Sequence, residues 1–476
     1  MMTSGRARTD PVQDVVIVGG GATGLAAAHA LAREQARVTL LEAQPQVGGN
    51  LRTLRDGPWQ IEQGPNTVIM KPPLYALLAE LDLLDEARVA DPASRKRFVA
   101  LAGRPVALPS NIANAVTNPL LGWRGWSGIL REPFVRRSTA ADESLADFVQ
   151  RRLGRRVLDR LVDPFVSGVY AGDPARLLAR AAMPRLVALE QAYGSLIRGG
   201  LMRLLPGRAK STPAVPRAWR GRLLSFDGGL QRLAERLQSA ITAQRHADIV
   251  CECRIERIER TSDGIWQLTD ATGRRWAARR LVLSVPAHVA ASLLAPIDTT
   301  LAEALSEIVY PPVSIVALGF RQADIAHPLD GFGLLLPRAE GRETLGTLFP
   351  SSLFPGRAPP GHHLLNVFLG GRQSPDTARG DDAQQVARAT TDLRDLLGIA
   401  GPPVWQRVVR WPQAIPQYEI GHLERLARID AALTAHEGLS LAGNWRDGIA
   451  VGDCLENGRQ LGEALAAAMR SRGRAP

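Results

Sequence analysis

An α/β fold is predicted for this chain, α+β overall, from three features of its sequence. A strand, glycine loop, helix and second strand open it; runs of strand-like alternation fill its middle; a strand and an alanine-rich helix close it. The α/β signature at both ends, with a mixed stretch between, predicts one domain that is discontinuous in sequence. A length of 476 residues exceeds one compact core, so two or three domains are expected. Apolar residues make up 45% and charged residues 22%, which excludes disordered and collagen-like classes.

Residues 15–18 are a short β-branched run ending in Gly19-Gly20-Gly21-Ala22-Thr23-Gly24. A helical pattern over 25–32 and a strand over 37–41, ending at Glu42, complete a β-α-β unit. Residues 74–87 are helical in pattern, 105–119 loop-rich, and 145–166 an amphipathic helix with paired arginines on its polar side. The stretch 196–224, rich in Arg, Pro and Gly, marks a boundary. A helix opens within 226–234, and strands are predicted over 249–258, 266–269 and 281–285. Alternating runs at 313–320, 333–336 and 364–369 belong to a second sheet. A strand over 439–442 and a helix over 458–469 end the chain. These elements predict a Rossmann-like domain from 12–72, 222–295 and 411–473. A mixed-sheet domain from 73–91 and 296–410 and a helical domain over 92–221 account for the rest.

The glycine spacing has a chemical reason. The first glycine permits a tight turn, the second lets backbone approach a pyrophosphate, and the third allows close packing of helix on strand. The helix N-terminus supplies free N–H groups and the positive end of its dipole. Glu42 lies 18 residues beyond Gly24, where a carboxylate accepts ribose hydroxyls. A second pair, Gly48-Gly49, follows six residues after Glu42 and matches the extended loop of FAD enzymes, which an NAD enzyme does not need. Near the C-terminus, Ala442-Gly443-Asn444 and then residues 448–453 precede a helix, which suits a return strand and helix start beneath a flavin ring. FAD is the predicted cofactor.

The formal charge is +11, carried almost wholly by arginine, since Lys71, Lys96 and Lys210 are the only lysines. An arginine-rich solvated surface explains most of it, and no nucleic-acid motif accompanies it. Cys251 and Cys253 are too close for an ordinary disulfide, and with Cys454 they form no metal-ligand spacing. A reducing compartment and no metal are therefore expected. No signal-peptide core and no uninterrupted spanning run occur, so a cytoplasmic protein, or one on the cytoplasmic face of the inner membrane, is expected. Residues 123–137 mix Trp123, Trp126, Ile129, Leu130 and Phe134 with arginines, which suits peripheral contact with anionic lipid.

Several segments narrow the reading. Glu62-Gln63-Gly64-Pro65-Asn66-Thr67, Pro164-Phe165-Val166-Ser167-Gly168-Val169-Tyr170-Ala171-Gly172-Asp173-Pro174, Leu345-Gly346-Thr347-Leu348-Phe349 and Gly448-Ile449-Ala450-Val451-Gly452-Asp453-Cys454 resemble the protoporphyrinogen oxidases, which are monoamine-oxidase-like flavoproteins. The second segment is the most specific. The resemblance implies that Gly19, Gly20, Gly21, Ala22, Thr23 and Gly24 hold the pyrophosphate, Glu42 and Ala43 the ribose, and Gly49 and Asn50 the next loop. It places Gly64, Pro65, Asn66 and Thr67 along the flavin, Ile255 against the adenine, and Asn444, Ile449, Ala450 and Val451 over the isoalloxazine. On the substrate side it implies Arg97 for a propionate, Leu334 and Phe349 for the macrocycle faces, and Gly168 for a backbone carbonyl. The reaction implied removes six hydrogens in three flavin rounds, with dioxygen reduced to hydrogen peroxide.

Each substrate residue also has a plainer meaning. Arg97 sits in Arg95-Lys96-Arg97, where a solvated cationic run is usual, and Phe349 and Leu334 suit a core. His422 reads as structural. No side chain in these motifs stands out as a catalytic base. The nearest rival is a coproporphyrinogen III oxidase of the same fold. An amine oxidase or carotenoid desaturase is a further rival, although five tyrosines leave few candidates for an aromatic cage. A flavin-binding scaffold is the non-enzymatic alternative. The oligomeric state stays open, a homodimer among the options.

Overall fold

β1 (Gln13–Val18) has Val15, Val16, Ile17 and Val18 all buried, because it is a central strand covered on both faces. A computed structural model describes residues 12–109, 111–138, 140, 142–204 and 215–472. β1 runs parallel to β2 (Val38–Leu41) on one side and to Arg275–Leu283 on the other. Ala247–Val250 extends the sheet beyond β2, and Leu439–Leu441 pairs parallel with the end of Arg275–Leu283. Ile255–Arg260 and Trp266–Asp270 form an antiparallel meander with the start of that strand. This seven-stranded sheet therefore takes strands from the beginning, middle and end of the chain, as the sequence predicts.

Helix α1 (Ala22–Arg33), Gln231–Thr242 and the C-terminal Val451–Arg472 cover one face, with Leu25, Leu31, Leu233, Leu237 and Leu455 packed on Val15 and Ile17. Each fully buried leucine contributes about 1.5–3 kcal/mol. On the other side Ile258 and Trp266 of the meander share a core with Val16, Val18 and Leu41 and with Leu294 and Leu305 of the helices Ala287–Leu294 and Thr299–Ser306. The expected strand over 249–258 is two strands, separated by Glu252 at φ +55°. The C-terminal helix starts at Val451, seven residues ahead of the expected 458. Gly458 and Gly462 serve close packing rather than a turn: a methyl group at Gly458 would lie 2.2 Å from the Thr23 carbonyl oxygen of α1, and one at Gly462 2.6 Å from that of Ala27.

The second sheet has seven strands in the order Trp405–Trp411, Val313–Arg321, His362–Gly370, Thr344–Leu348, Gly333–Leu335, Phe98–Leu101, Arg104–Ala107. Helix Asp382–Leu397 covers one face of it. The last two strands form a hairpin where the sequence suggests loop and helical domain. Its turn residues Ala102 and Gly103 both have positive φ, and alanine there hides the usual turn signal. The expected helix over 145–166 is broken at Gly154 (φ +89°): Leu145–Leu153 stops there, and Asp163–Tyr170 follows with Pro164 in its first turn. The helical region has its own core around Phe148, Val149 and Val166. Within it the buried Arg152 bridges Glu132 and Glu190. No described helix is long and apolar enough to cross a membrane.

Candidate active site

β1 delivers the chain into Gly19, whose φ of +107° only glycine adopts readily; a methyl there would meet the Ser284 carbonyl oxygen at 2.4 Å. A methyl at Gly24 would sit 2.0 Å from the Gly19 carbonyl oxygen, so α1 can begin this close to the strand only with glycine. At Gly21 nothing lies within 4 Å, which leaves the loop open on one side. Gly21 caps α1 without any side-chain bond, and no acidic residue occupies the first turn. The N–H groups of that turn are therefore available to an anion.

The second glycine pair folds onto the first loop. Gly48 N–H donates to the Gly20 carbonyl at 2.7 Å, and a methyl at Gly49 would stand 3.1 Å from Gly21 Cα. Glu42 closes the far side: Gly20 N–H donates to its Oε2 at 2.7 Å and Gln44 N–H to its Oε1 at 2.9 Å. Ala43 follows it in the same turn. Cys253 N–H donates to the Glu42 carbonyl at 2.8 Å, and this brings the buried Ile255 alongside. The open space at Gly21, the uncapped helix start and the partnerless buried Ser284 Oγ beside Gly24 fit a bound pyrophosphate.

The segments expected along the flavin converge on the same side. Gly64 lies against Asn50, where a methyl would be 2.3 Å from the Asn50 carbonyl oxygen. Asn66 Nδ2 donates to the Gly64 carbonyl at 3.1 Å and fixes the turn that holds Pro65 and Thr67. The Asn66 Oδ1 accepts from Asn366 Nδ2 at 3.0 Å, joining this turn to the second sheet. At the other end, Asn444, Ile449 and Ala450 lie in the turn before Val451 starts the C-terminal helix.

A family model described as flavin containing amine oxidoreductase matches residues 22–465. The chloroplastic protoporphyrinogen oxidase of Nicotiana tabacum is 35% identical, over 94% of this chain and 84% of that protein. The coproporphyrinogen III oxidase of Bacillus subtilis is 26% identical, over 95% and 97%. A crystal structure from Exiguobacterium sp., itself assigned provisionally to protoporphyrinogen oxidase, has a TM-score of 0.80 at 24% identity over 96% and 99%.

The chain belongs to the protoporphyrinogen oxidase family. It is accordingly an FAD-dependent oxidoreductase.

The substrate side corrects two expectations. Leu334 and Phe349 are 1% and 0% exposed and belong to the core beneath helix Asp382–Leu397, with Phe98, Val367 and Leu393. Side chains alternate along a strand, so the residue beside Leu334 faces the other way. Leu335 does: a methyl at Gly168 would lie 2.4 Å from Leu335 Cδ2. Pairing puts Leu335, Gly346 and Phe368 in one row, and Gly333, Leu348 and Asn366 in the next, all on the face opposite Leu334. Leu335, Leu348 and Phe368 are each half-buried. These residues, rather than Leu334 and Phe349, present an apolar face beside Gly168. Three leucines in succession, 334–336, carry no alternation, so the sequence offered no signal for the face.

Arg97 is exposed just before Phe98–Leu101, its guanidinium 5.4 Å from the Phe332 ring centroid. It has no carboxylate partner among the described residues. His422 is 1% exposed, and burial pushes its imidazole down to about 4, so it is neutral at pH 7. Among the described residues no group of His, Cys, Asp and Glu could hold a metal ion.

Proposed function

We propose that this protein oxidises protoporphyrinogen IX to protoporphyrin IX. The observation that carries the reading is the Asn66–Asn366 bond, which sets the flavin-lining turn beside the apolar face of Leu348 and Phe368. An apolar macrocycle fits such a face, and a flavin held by Gly64 to Thr67 would lie within reach of its carbons. Bound FAD supplies a two-electron acceptor, with dioxygen as the proposed final oxidant. Over three rounds each of the four bridging methylene carbons would lose one hydrogen and two ring nitrogens one each; three of the six leave as hydrides from carbon and three as protons, and three dioxygen molecules leave as hydrogen peroxide.

The chain's own residues orient and exclude water. The first turn of α1 and the loop at Gly19 to Gly24 bind the diphosphate. The start of Val451–Arg472 would offer its free N–H groups to the bound flavin, where they favour negative charge. Leu335, Leu348 and Phe368 hold the macrocycle, and Arg97 pairs with a propionate at the rim, a geometry suited to its bidentate fork. No side chain is assigned as a base; the proton leaves to water.

Exposed Trp123, Leu130 and Phe134, at 76%, 69% and 81%, stand beside Arg124 and Arg131 on or next to helix Gly122–Arg131. They support peripheral binding to an anionic membrane, and the cytoplasmic face is the one we propose. Flotation with anionic liposomes tests it, and a protein that stays at the bottom removes it.

Turnover of the two porphyrinogens decides the substrate. A fluorescence rise in air should be faster with protoporphyrinogen IX than with coproporphyrinogen III. Preference for the tetracarboxylate would overturn the assignment.

A further inference from the structure

The segment 415–422 runs between the helix that carries Gly168 and the turn ahead of the C-terminal helix. Its Tyr418 is 6% exposed, and its hydroxyl bridges two backbone groups of the C-terminal turn. It donates to the Asn444 carbonyl at 2.5 Å and accepts from Gly448 N–H at 2.9 Å. That turn has φ +150° at Gly443 and +129° at Gly448, conformations other residues rarely adopt. Within it Arg446 N–H donates to the Gly443 carbonyl at 3.2 Å, and the phenol joins the two ends, Asn444 and Gly448. Three residues after Gly448 the helix Val451–Arg472 begins.

The ring itself is held from several sides. His422 stacks on it, centroids 4.3 Å apart and planes 12° apart. Both imidazole nitrogens are buried without a hydrogen-bond partner, so His422 serves Tyr418 as a flat plate rather than as a donor. The Tyr418 carbonyl accepts from Leu178 N–H at 2.8 Å, and Gln417 Nε2 donates to the Tyr170 carbonyl at 2.8 Å. Glu419 pairs with Arg372 at 2.7 Å. The backbone of this segment is thereby fixed to the helix that carries Gly168, while the Tyr418 hydroxyl reaches the turn ahead of the C-terminal helix.

We propose that Tyr418 is a positioning residue for the flavin: its hydroxyl locks the 444–448 turn and so sets where the N–H groups at the start of Val451–Arg472 stand. Those N–H groups stabilise negative charge on reduced flavin, so their placement tunes the flavin's midpoint potential. The proposal rests on the flavin site alone and not on the porphyrinogen assignment.

The test is the midpoint potential of bound FAD in the holoprotein, measured by dye-coupled reduction without substrate. In Tyr418→Phe the preference for reduced over oxidised flavin should fall about ten-fold, which is about 30 mV downward for a two-electron couple. His422→Phe keeps the stacked plate and should leave the potential unchanged. An unchanged potential in Tyr418→Phe overturns the proposal, and so does an equal shift in His422→Phe, since packing rather than the hydroxyl would then govern the turn. If Tyr418→Phe does not fold, amide exchange of the wild-type holoprotein decides. Protection at Gly448 as strong as in the following helix supports the lock, and exchange as fast as an open loop overturns it. Loss of porphyrinogen turnover alone would touch neither result.

Discussion

Arg357 reaches from the loop before His362–Gly370 into the nucleotide domain and sets its guanidinium 3.3 Å from the Glu62 carboxylate. The side chains are only 3% and 4% exposed. Arg357 also donates to Ser225 Oγ at 2.6 Å, and Glu62 accepts from the Thr53 hydroxyl at 2.7 Å and from Leu230 N–H at 3.1 Å. Burial pushes the Glu62 carboxyl up and the guanidinium down, and the mutual attraction offsets part of each shift. Two residues beyond Glu62, Gly64 begins the flavin-lining turn, so this buried pair ties the strand leading into that turn to the loop ahead of His362–Gly370 and, through Ser225, to the strand Leu223–Phe226.

Removing one partner strands the other. Arg357→Ala should destabilise the fold by about 3–5 kcal/mol in urea denaturation, because an uncompensated carboxylate is left buried. The double variant Glu62→Gln with Arg357→Met should recover much of that loss. A single variant as stable as the wild type would show that the pair anchors nothing.

Glu42 is the acceptor that the nucleotide loop is built around. Charge-assisted bonds to a carboxylate are worth about 1.5–3 kcal/mol, so Glu42→Ala should weaken FAD binding about ten-fold or more. Titration of FAD into apoprotein reads this directly. An unchanged dissociation constant would mean that the ribose lies elsewhere.

The strand register at Gly333–Leu335 separates two neighbouring leucines by role. Leu334→Ala should lose about 2–5 kcal/mol of stability through its cavity, with KM for the porphyrinogen little changed. Leu335→Ala should raise KM at much smaller cost to stability. The reverse pattern would put Leu334 back on the substrate face.

Much of the nucleotide site was legible because its signals are local. The Gly19 to Gly24 spacing, Glu42 and Gly48-Gly49 each encode a short-range backbone need, and the structure folds them onto one another. The broken strand at Glu252 and the Ala102-Gly103 hairpin were missed because positive φ falls on Glu252 and on Ala102, residues that carry no turn signature, which leaves Gly103 as a lone signal. Leu335, Phe368 and Asn366 were missed because the face of a strand is decided by its sheet partners, far away in sequence. Tyr418 was invisible for the same reason: its partners Asn444 and Gly448 lie 26 and 30 residues on.

His422 gives the stability a pH signature. Burial, with Arg425 nearby, lowers its imidazole from 6.5 to about 4, so the unfolded chain takes up a proton that the folded chain refuses. The contribution is full above pH 6.5 and is lost as pH falls from there toward 4, by up to about 3 kcal/mol. His422→Phe should flatten denaturation midpoints across that window relative to the wild type. Parallel pH profiles would assign the acid sensitivity to other groups.

Anaerobic titration of the FAD-loaded protein with protoporphyrinogen IX tests the central claim most directly, since it follows the flavin itself. The flavin absorbance should bleach as porphyrin forms, recover on admitting air, and stay unbleached with primary amines. A flavin that protoporphyrinogen IX leaves oxidised, or that amines reduce instead, would contradict the account.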